Sequence, residues 1–245
     1  GGVPWRLVKE VDDELIIGVG AFYCRTKKTR FVGSAFCFDN TGRFKNFSCF
    51  GQKELPALVG SIREAVETFH KSKPQATRII IHFYKVISQK ELKPILDMLY
   101  NGLNLPIPII VVTINKTVSK ELLAFDTDST DKYMPYSGTY IRMAERQYLL
   151  FNNTRYKSDS IVADKEYHFP VKIKLTSTHL ELLEDKELVK KLIDQVYQFS
   201  RMYWKSVSQQ NIPVTIAYPE MVAEIFSHFK QHYIPEFGTD NLWFL

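Results

Sequence analysis

The run Leu15–Cys24 reads LIIGVGAFYC, and its β-branched and aromatic residues predict a strand with hardly any polar side chain. Two further runs of the same character follow it, Phe31–Phe38 and Phe44–Phe50. The stretches between them, TKKT at 26–29 and DNTG at 39–42, are rich in turn-forming residues. Three consecutive strands joined by short turns predict an antiparallel meander.

Outward from the meander, the pattern changes to alternating helices and strands. Apolar residues recur every three or four positions over Leu55–Phe69, which predicts an amphipathic helix that ends before Pro74. A strand over Arg78–Tyr84, a helix over Gln89–Tyr100 and a buried strand over Ile107–Ile114 come next. This order predicts an α/β fold with a ribonuclease H-like mixed sheet flanked by helices.

The second half of the chain continues the same architecture. The predicted elements are strands at Thr139–Ala144, Gln147–Asn152 and Val171–Leu175, a long helix at Glu184–Tyr203, a strand at Pro213–Ala217, and a final helix that begins at Tyr218. No internal repeat, low-complexity stretch or linker interrupts it, so we interpret residues 1–245 as one domain.

Composition excludes several classes of protein. No apolar run approaches the roughly 18 residues of a membrane-spanning helix. Three cysteines without CxxC spacing argue against a disulfide framework and favour a reducing, cytoplasmic location. The net charge of +5 is compatible with a nucleic-acid partner but is too small to establish one.

The familiar catalytic motifs are missing. The chain has no GxSxG elbow, no phosphate-binding P-loop and no GxGxxG fingerprint. Nucleases with a ribonuclease H-like fold hold paired Mg²⁺ ions about 4 Å apart on several carboxylates at the ends of the strands. Here the strand Ile16–Phe22 contains no acid, and the strand Ile79–Tyr84 contains none and is followed by Lys85, whose charge would repel Mg²⁺.

Several strings resemble the PIWI domain of prokaryotic Argonaute proteins. The opening GGVPWRL at 1–7 resembles the segment that begins this domain, and IIGVG at 16–20 resembles its first strand. Near the end, YWKSVS at 203–208 and IPVTIAY at 212–218 resemble its closing motif. The match is collinear along the whole chain, so the chain is identified by resemblance as a PIWI domain of the catalytically inactive type.

The resemblance implies which positions correspond to the family's slicing carboxylates. The family uses an Asp, a Glu finger, a second Asp and a fourth Asp or His, and these positions fall on Gly20, Glu54, Tyr84 and Glu220. Since both central aspartates are replaced, we predict no cleavage of target strands and no catalytic cofactor. Alternatively, Glu54 and Glu220 are simply acids in a first helical turn, where the helix dipole favours them.

The resemblance also implies residues that contact a guide strand through its phosphates. Lys116 follows a buried strand where the family places a basic residue, and Tyr218 begins the helix whose amides suit phosphate. The full predicted set is Arg6, Lys116, Arg142, Arg146, Arg155, Lys205, Ser206, Ser208 and Tyr218. Each cation, taken singly, is more readily interpreted as an ordinary surface residue, and the basic groove is better indicated by the group as a whole.

The carboxy terminus is a candidate metal ligand. In several prokaryotic relatives the terminal carboxylate helps to bind a divalent ion beside the 5′ phosphate of the guide. The ending Leu242–Leu245 suits this role, because its apolar residues would bury the tail and hold the Leu245 carboxylate in place. The resemblance thus implies Mg²⁺ or Mn²⁺ at this pocket; the alternative is a hydrophobic tail that plugs the domain.

By resemblance, then, the function is guide-directed binding of nucleic acid in prokaryotic defence against invading DNA. The chain of 245 residues fits a PIWI domain without a MID domain, so the MID domain of the same or a longer protein is an expected partner. A separate effector, TIR-like, sirtuin-like or nuclease, is a further implied partner. Two alternatives stay open: a divergent metal-dependent nuclease that uses Glu54, Glu220 and the loop aspartates at 126–131, and a protein-interaction scaffold.

Overall fold

The computed structural model describes residues 14–25, 28–38, 47–51, 55–115, 122–128, 133–152, 169–203, 205, 210–229 and 244, with the backbone alone at 29–37 and 51. These residues contain the eight strands β1 (Glu14–Cys24), β2 (Thr29–Phe38), β3 (Ser48–Gly51), β4 (Arg78–Phe83), β5 (Ile109–Asn115), β6 (Tyr140–Ala144), β7 (Gln147–Leu150) and β8 (Val171–Ser177). Their helices are α1 (Leu55–Ser72), α2 (Gln89–Asp97), α3 (Lys186–Phe199) and α4 (Val214–Phe226). A π-helical turn, Met98–Gly102, extends α2, and a 3-10 turn, Leu180–Glu184, precedes α3.

The described strands form one mixed sheet in the order β3-β2-β1-β4-β5-β8-β7-β6. Strands β1, β4 and β5 run parallel to one another, and the remaining pairs are antiparallel. The meander β1–β3 therefore forms one side of the sheet and is extended by parallel strands. This confirms the predicted ribonuclease H-like α/β fold.

Each face of the sheet packs against two helices. Alternate residues of β1, β4 and β5, such as Ile17, Ile81 and Val111, pack under α1 and α2. The intervening residues, such as Ile16 and Ile80, face α3 and α4. The parallel strands are apolar on both faces because both faces are covered, as their sequences predict.

The predicted strand Pro213–Ala217 is wrong, because this segment is the beginning of α4. Pro213 lies at the N-cap with an extended backbone, where the missing N–H of proline has no consequence. The residues Val214, Thr215 and Ile216 are buried against the sheet, so tertiary packing overrides their preference for strands. Consequently the final helix does not begin at Tyr218, as predicted, but four residues earlier.

The long helix is shorter than predicted at both ends. It begins at Lys186, where the side chain of Asp185 accepts a hydrogen bond from the Glu187 N–H at 2.9 Å, and it ends at Phe199. None of the helices in the described part of the chain has both the length and the apolar character needed to cross a membrane.

Candidate nucleic-acid interface

Three of the four predicted slicing positions meet at one end of the sheet. Val19 of β1 pairs with Phe83 of β4, so Gly20 and Tyr84 are the next residues on adjacent parallel strands. The Tyr84 N–H donates to the Val19 carbonyl at 3.1 Å. A Cβ built on Gly20 would lie 2.9 Å from the backbone nitrogen of Glu220, which places α4 directly over this point. The fourth position, Glu54, lies outside the described residues.

No side chain fits at Gly20. Besides the Glu220 nitrogen, a Cβ there would lie 2.6 Å from the Ile216 carbonyl oxygen and 3.0 Å from the Pro219 Cβ. Gly18 is even more crowded, since its Cβ would lie 2.0 Å from the Thr215 carbonyl oxygen. Helix α4 therefore packs its backbone against the backbone of β1. An aspartate at position 20 would require α4 to move away from the sheet.

The proline inside α4 explains which backbone group faces the strand. Pro219 has no N–H, so it cannot donate to the carbonyl of Thr215 four residues earlier. That carbonyl oxygen is the atom closest to the Cβ position of Gly18. The close approach thus combines two glycines on β1 with a helical carbonyl that lacks the usual N–H donor four residues later.

Tyr84 and Lys85 complete this end of β4 without an acid. The Tyr84 ring stacks on Phe83 at a centroid distance of 5.3 Å. The Lys85 ammonium lies 2.7 Å from the carboxylate of Glu91 in α2. Burial tends to raise the pKa of Glu91, but hydrogen bonds from Lys85 and Ser88 outweigh it, so the net effect is a lowered pKa. The charge of Lys85 is thereby offset by a carboxylate within the fold.

A buried polar network lies beside the glycines, and the sequence pattern did not reveal it. His82 is fully buried; its Nδ1 lies 2.7 Å from the Thr215 hydroxyl and its Nε2 lies 3.2 Å from the Gln195 side-chain oxygen. Since that amide oxygen can only accept, Nε2–H donates to Gln195 and Nδ1 accepts from Thr215. Burial lowers the pKa of His82 to about 4, against the opposing effect of the Gln195 hydrogen bond, so the ring is neutral.

A single histidine in the apolar strand Ile79–Phe83 was the available signal for this network. A buried imidazole requires hydrogen-bond partners, but the sequence could not indicate that Gln195 and Thr215 provide them. Within the described part of the chain, no group of three or more His, Cys, Asp or Glu side chains is placed to hold a metal ion.

The predicted guide-binding residues have different environments. Arg142 is exposed on β6, and Arg146 lies in the turn between β6 and β7, where it pairs with Glu145 at 2.6 Å. Lys205 is exposed. Tyr218, in contrast, is buried and donates its hydroxyl to the Met202 carbonyl at 3.1 Å. It is the fifth residue of α4 and so, contrary to the prediction, does not lie at the helix N-terminus. The remaining predicted site residues lie outside the described residues: Arg6, Lys116, Arg155, Ser206, Ser208 and Leu245.

The sequence of this chain is similar to known proteins of one family. The Piwi domain family matches residues 1–230. A Piwi protein from Archaeoglobus fulgidus is 24% identical over 95% of this chain and 57% of its own length. A protein argonaute from Cereibacter sphaeroides is 22% identical over the whole chain and 35% of its own length. The chain thus spans only part of either relative.

A similar fold occurs in the crystal structure of Marinitoga piezophila Argonaute in complex with a 5′-OH guide RNA. It superposes with a TM-score of 0.58 and 16% identity, over 91% of this chain and 32% of that one. At this identity the likeness shows the fold alone. The family match over residues 1–230 confirms the resemblance: this chain belongs to the Piwi domain family.

Proposed function

We propose that this domain binds a guide strand and its paired target through their sugar-phosphate backbones and does not cut the target. The observation that carries the proposal is the packing of α4 on Gly20, which leaves no space for a side chain at the first slicing position. The likeness to an Argonaute bound to a guide RNA supports the binding half of the proposal.

The donor set at this end of the sheet does not fit a two-metal centre. Such a centre needs several anionic ligands around ions about 4 Å apart. Of the three positions that the structure describes, Gly20 and Tyr84 offer no carboxylate, and only Glu220 does. The proposed mechanism is therefore recognition: cationic side chains hold the backbone, and base pairing between guide and target reads the sequence.

The wider role follows from the family and is part of the same proposal. The domain acts in prokaryotic defence in the cytoplasm, beside a MID domain of the same or a longer protein. A TIR-like, sirtuin-like or nuclease effector carries out the response. At the 5′ phosphate of the guide, the Leu245 carboxylate would help to hold Mg²⁺ or Mn²⁺, which would neutralise phosphate charge; this remains a prediction, since Leu245 lies outside the described residues.

The binding half predicts a steep dependence on salt. About four phosphate contacts to a single strand predict a roughly 50-fold loss of affinity between about 50 and 200 mM salt, because bound cations return to the strand. The measurement is fluorescence anisotropy of a 5′-phosphorylated RNA or DNA of about 20 nucleotides, bound by the whole protein. A methylphosphonate oligonucleotide of the same sequence, with a neutral backbone, is the control. Absence of binding, or binding without a salt slope, would favour the scaffold alternative.

The second part of the proposal, that the domain does not cut, predicts no cleavage product from a target strand paired with a guide in the presence of Mg²⁺ or Mn²⁺. The assay compares the wild-type protein with Glu54→Ala, Glu220→Gln and, as the matched control, Glu64→Ala on the exposed side of α1. Product that is lost with Glu54→Ala or Glu220→Gln but kept with Glu64→Ala would establish the divergent nuclease instead.

A further inference from the structure

Two lysines on β8 point to the same side of the sheet. Lys172 and Lys174 alternate with the buried Val171, Ile173 and Leu175, whose side chains pack on the α3–α4 side. The lysines therefore face the α1–α2 side. Among the described residues, the apolar cluster under α1 and α2 includes β1, β4 and β5 but no residue of β7 or β8. On this side of the sheet, the neighbours of the lysines include polar residues of β5 and β7 together with one buried apolar residue, Leu149.

Both lysines are half-buried cations without an acidic neighbour in their rows. Lys174 pairs across the strands with Thr113 and Gln147, and Lys172 pairs with Asn115 and Leu149. In the part of the chain that the structure describes, no carboxylate forms an ion pair with either ammonium group. Partial burial of two like charges is unfavourable, and an external anion would relieve it.

The position of the two lysines connects them with the degenerate slicing positions. Val19, Phe83, Thr113 and Lys174 form one row across β1, β4, β5 and β8. Val19 and Phe83 directly precede Gly20 and Tyr84. Because neighbouring strands lie about 4.8 Å apart, β8 is about 10 Å from β4. Gly20 itself faces α4, on the other side of the sheet from the lysines, so both side chains reach a nucleic acid that crosses this end of the sheet and not one confined to the α4 side.

We propose that Lys172 and Lys174 together bind the phosphodiester backbone of the nucleic acid held by this domain. The inference rests on the proposed function and adds two contacts that the family resemblance did not indicate. Two positions along a strand separate the Cα atoms by about 7 Å, so the two flexible side chains reach different phosphates of one strand. Such contacts position the strand and do not read its sequence.

The test is the double variant Lys172→Gln/Lys174→Gln, measured with the same 5′-phosphorylated RNA and DNA probes over a range of salt concentrations. Losing two contacts to a single strand lowers the slope of log affinity against log salt by about 1.4, with a loss of about tenfold or more at low salt. The matched control is Lys186→Gln/Lys190→Gln, which removes the same charge from exposed positions of α3 on the other side of the sheet. The control is expected to keep the wild-type slope.

The double variant Lys172→Arg/Lys174→Arg distinguishes loss of charge from a disturbed fold. Because it keeps both cations, its slope of log affinity against log salt should equal that of wild type. The inference is overturned if the β8 glutamine variant keeps the wild-type slope, or if the α3 control loses as much slope as that variant. In either case the proposed function still stands, provided that the wild-type protein binds the probes. If the wild-type protein binds neither probe, the proposed function fails and the inference fails with it. If the double variant does not fold, Lys174→Gln alone replaces it, with an expected reduction of about 0.7.

Discussion

Replacing Gly18 with alanine is expected to lower the free energy of unfolding by about 3 kcal/mol or more, the upper part of the range for overpacking. The added Cβ would lie 2.0 Å from the Thr215 carbonyl oxygen and 2.7 Å from its carbon, both backbone atoms of a buried helix. Neither can rotate away as a side chain would, so α4 has to shift from the sheet. For a chain of this size the melting temperature should fall by roughly 6–12 °C.

Gly60→Ala is the matched control for this substitution. A Cβ on Gly60 would meet nothing within 4 Å, and the residue is exposed in the middle of α1. There alanine should stabilise the protein by up to about 1 kcal/mol through its better helix propensity. Gly20→Ala should be destabilising as well, but less than Gly18→Ala, since its shortest contact is 2.6 Å. Equal melting temperatures for Gly18→Ala and wild type would refute the close packing of α4 on β1.

Acidification is expected to remove about 3 kcal/mol of stability through His82 alone. The folded protein holds this imidazole neutral with a pKa of about 4, whereas the unfolded chain has the ordinary value of 6.5. As the pH falls below 6.5, the unfolded state takes up a proton that the folded state does not, and unfolding becomes easier. The contribution is fully present above pH 6.5, is lost as the pH approaches 4, and changes no further below that.

Urea unfolding between pH 7 and pH 4 measures this effect as the difference between wild type and His82→Asn. Asparagine keeps a polar side chain for Thr215 and Gln195 but cannot titrate, so the variant should lack this part of the pH dependence. His228→Asn, the same substitution at an exposed position just after α4, is the control. Parallel pH curves for wild type and His82→Asn would show that His82 is not held neutral by burial.

The elements that were predicted correctly depend on local pattern. The apolar run of β1 and the three-four spacing of α1 are properties of neighbouring residues, and each element formed where its pattern indicated. The error at Pro213–Ala217 has a tertiary cause. Valine, threonine and isoleucine favour strands on a half-buried sheet surface, but here they lie on a helix that is buried against two glycines.

The candidate site also has residues that the sequence indicated and residues that only the structure brought to light. The assignment of Gly20, Tyr84 and Glu220 to slicing positions came from the resemblance of short strings and stays a prediction, with Glu220 at a position where the family has an Asp or a His. The sequence predicts that Tyr218 begins a helix and contacts phosphate, but the residue lies in the second turn of α4 and donates its hydroxyl to the Met202 carbonyl. Lys172 and Lys174 carry no motif, so only their pairing with β5 and β7 brought them into consideration.

The sequence by itself determined the mixed α/β order of the chain and its resemblance to the Piwi domain family, because both depend on residue identity and short-range periodicity. Only the tertiary structure decided that α4 fills the space beside Gly18 and Gly20, that His82 is buried between Gln195 and Thr215, and that two lysines of β8 point to the same side of the sheet. These are contacts between residues far apart in the chain. The packing of the helices on the sheet decides which backbone groups approach one another and which charged groups are desolvated. No local sequence pattern encodes these contacts.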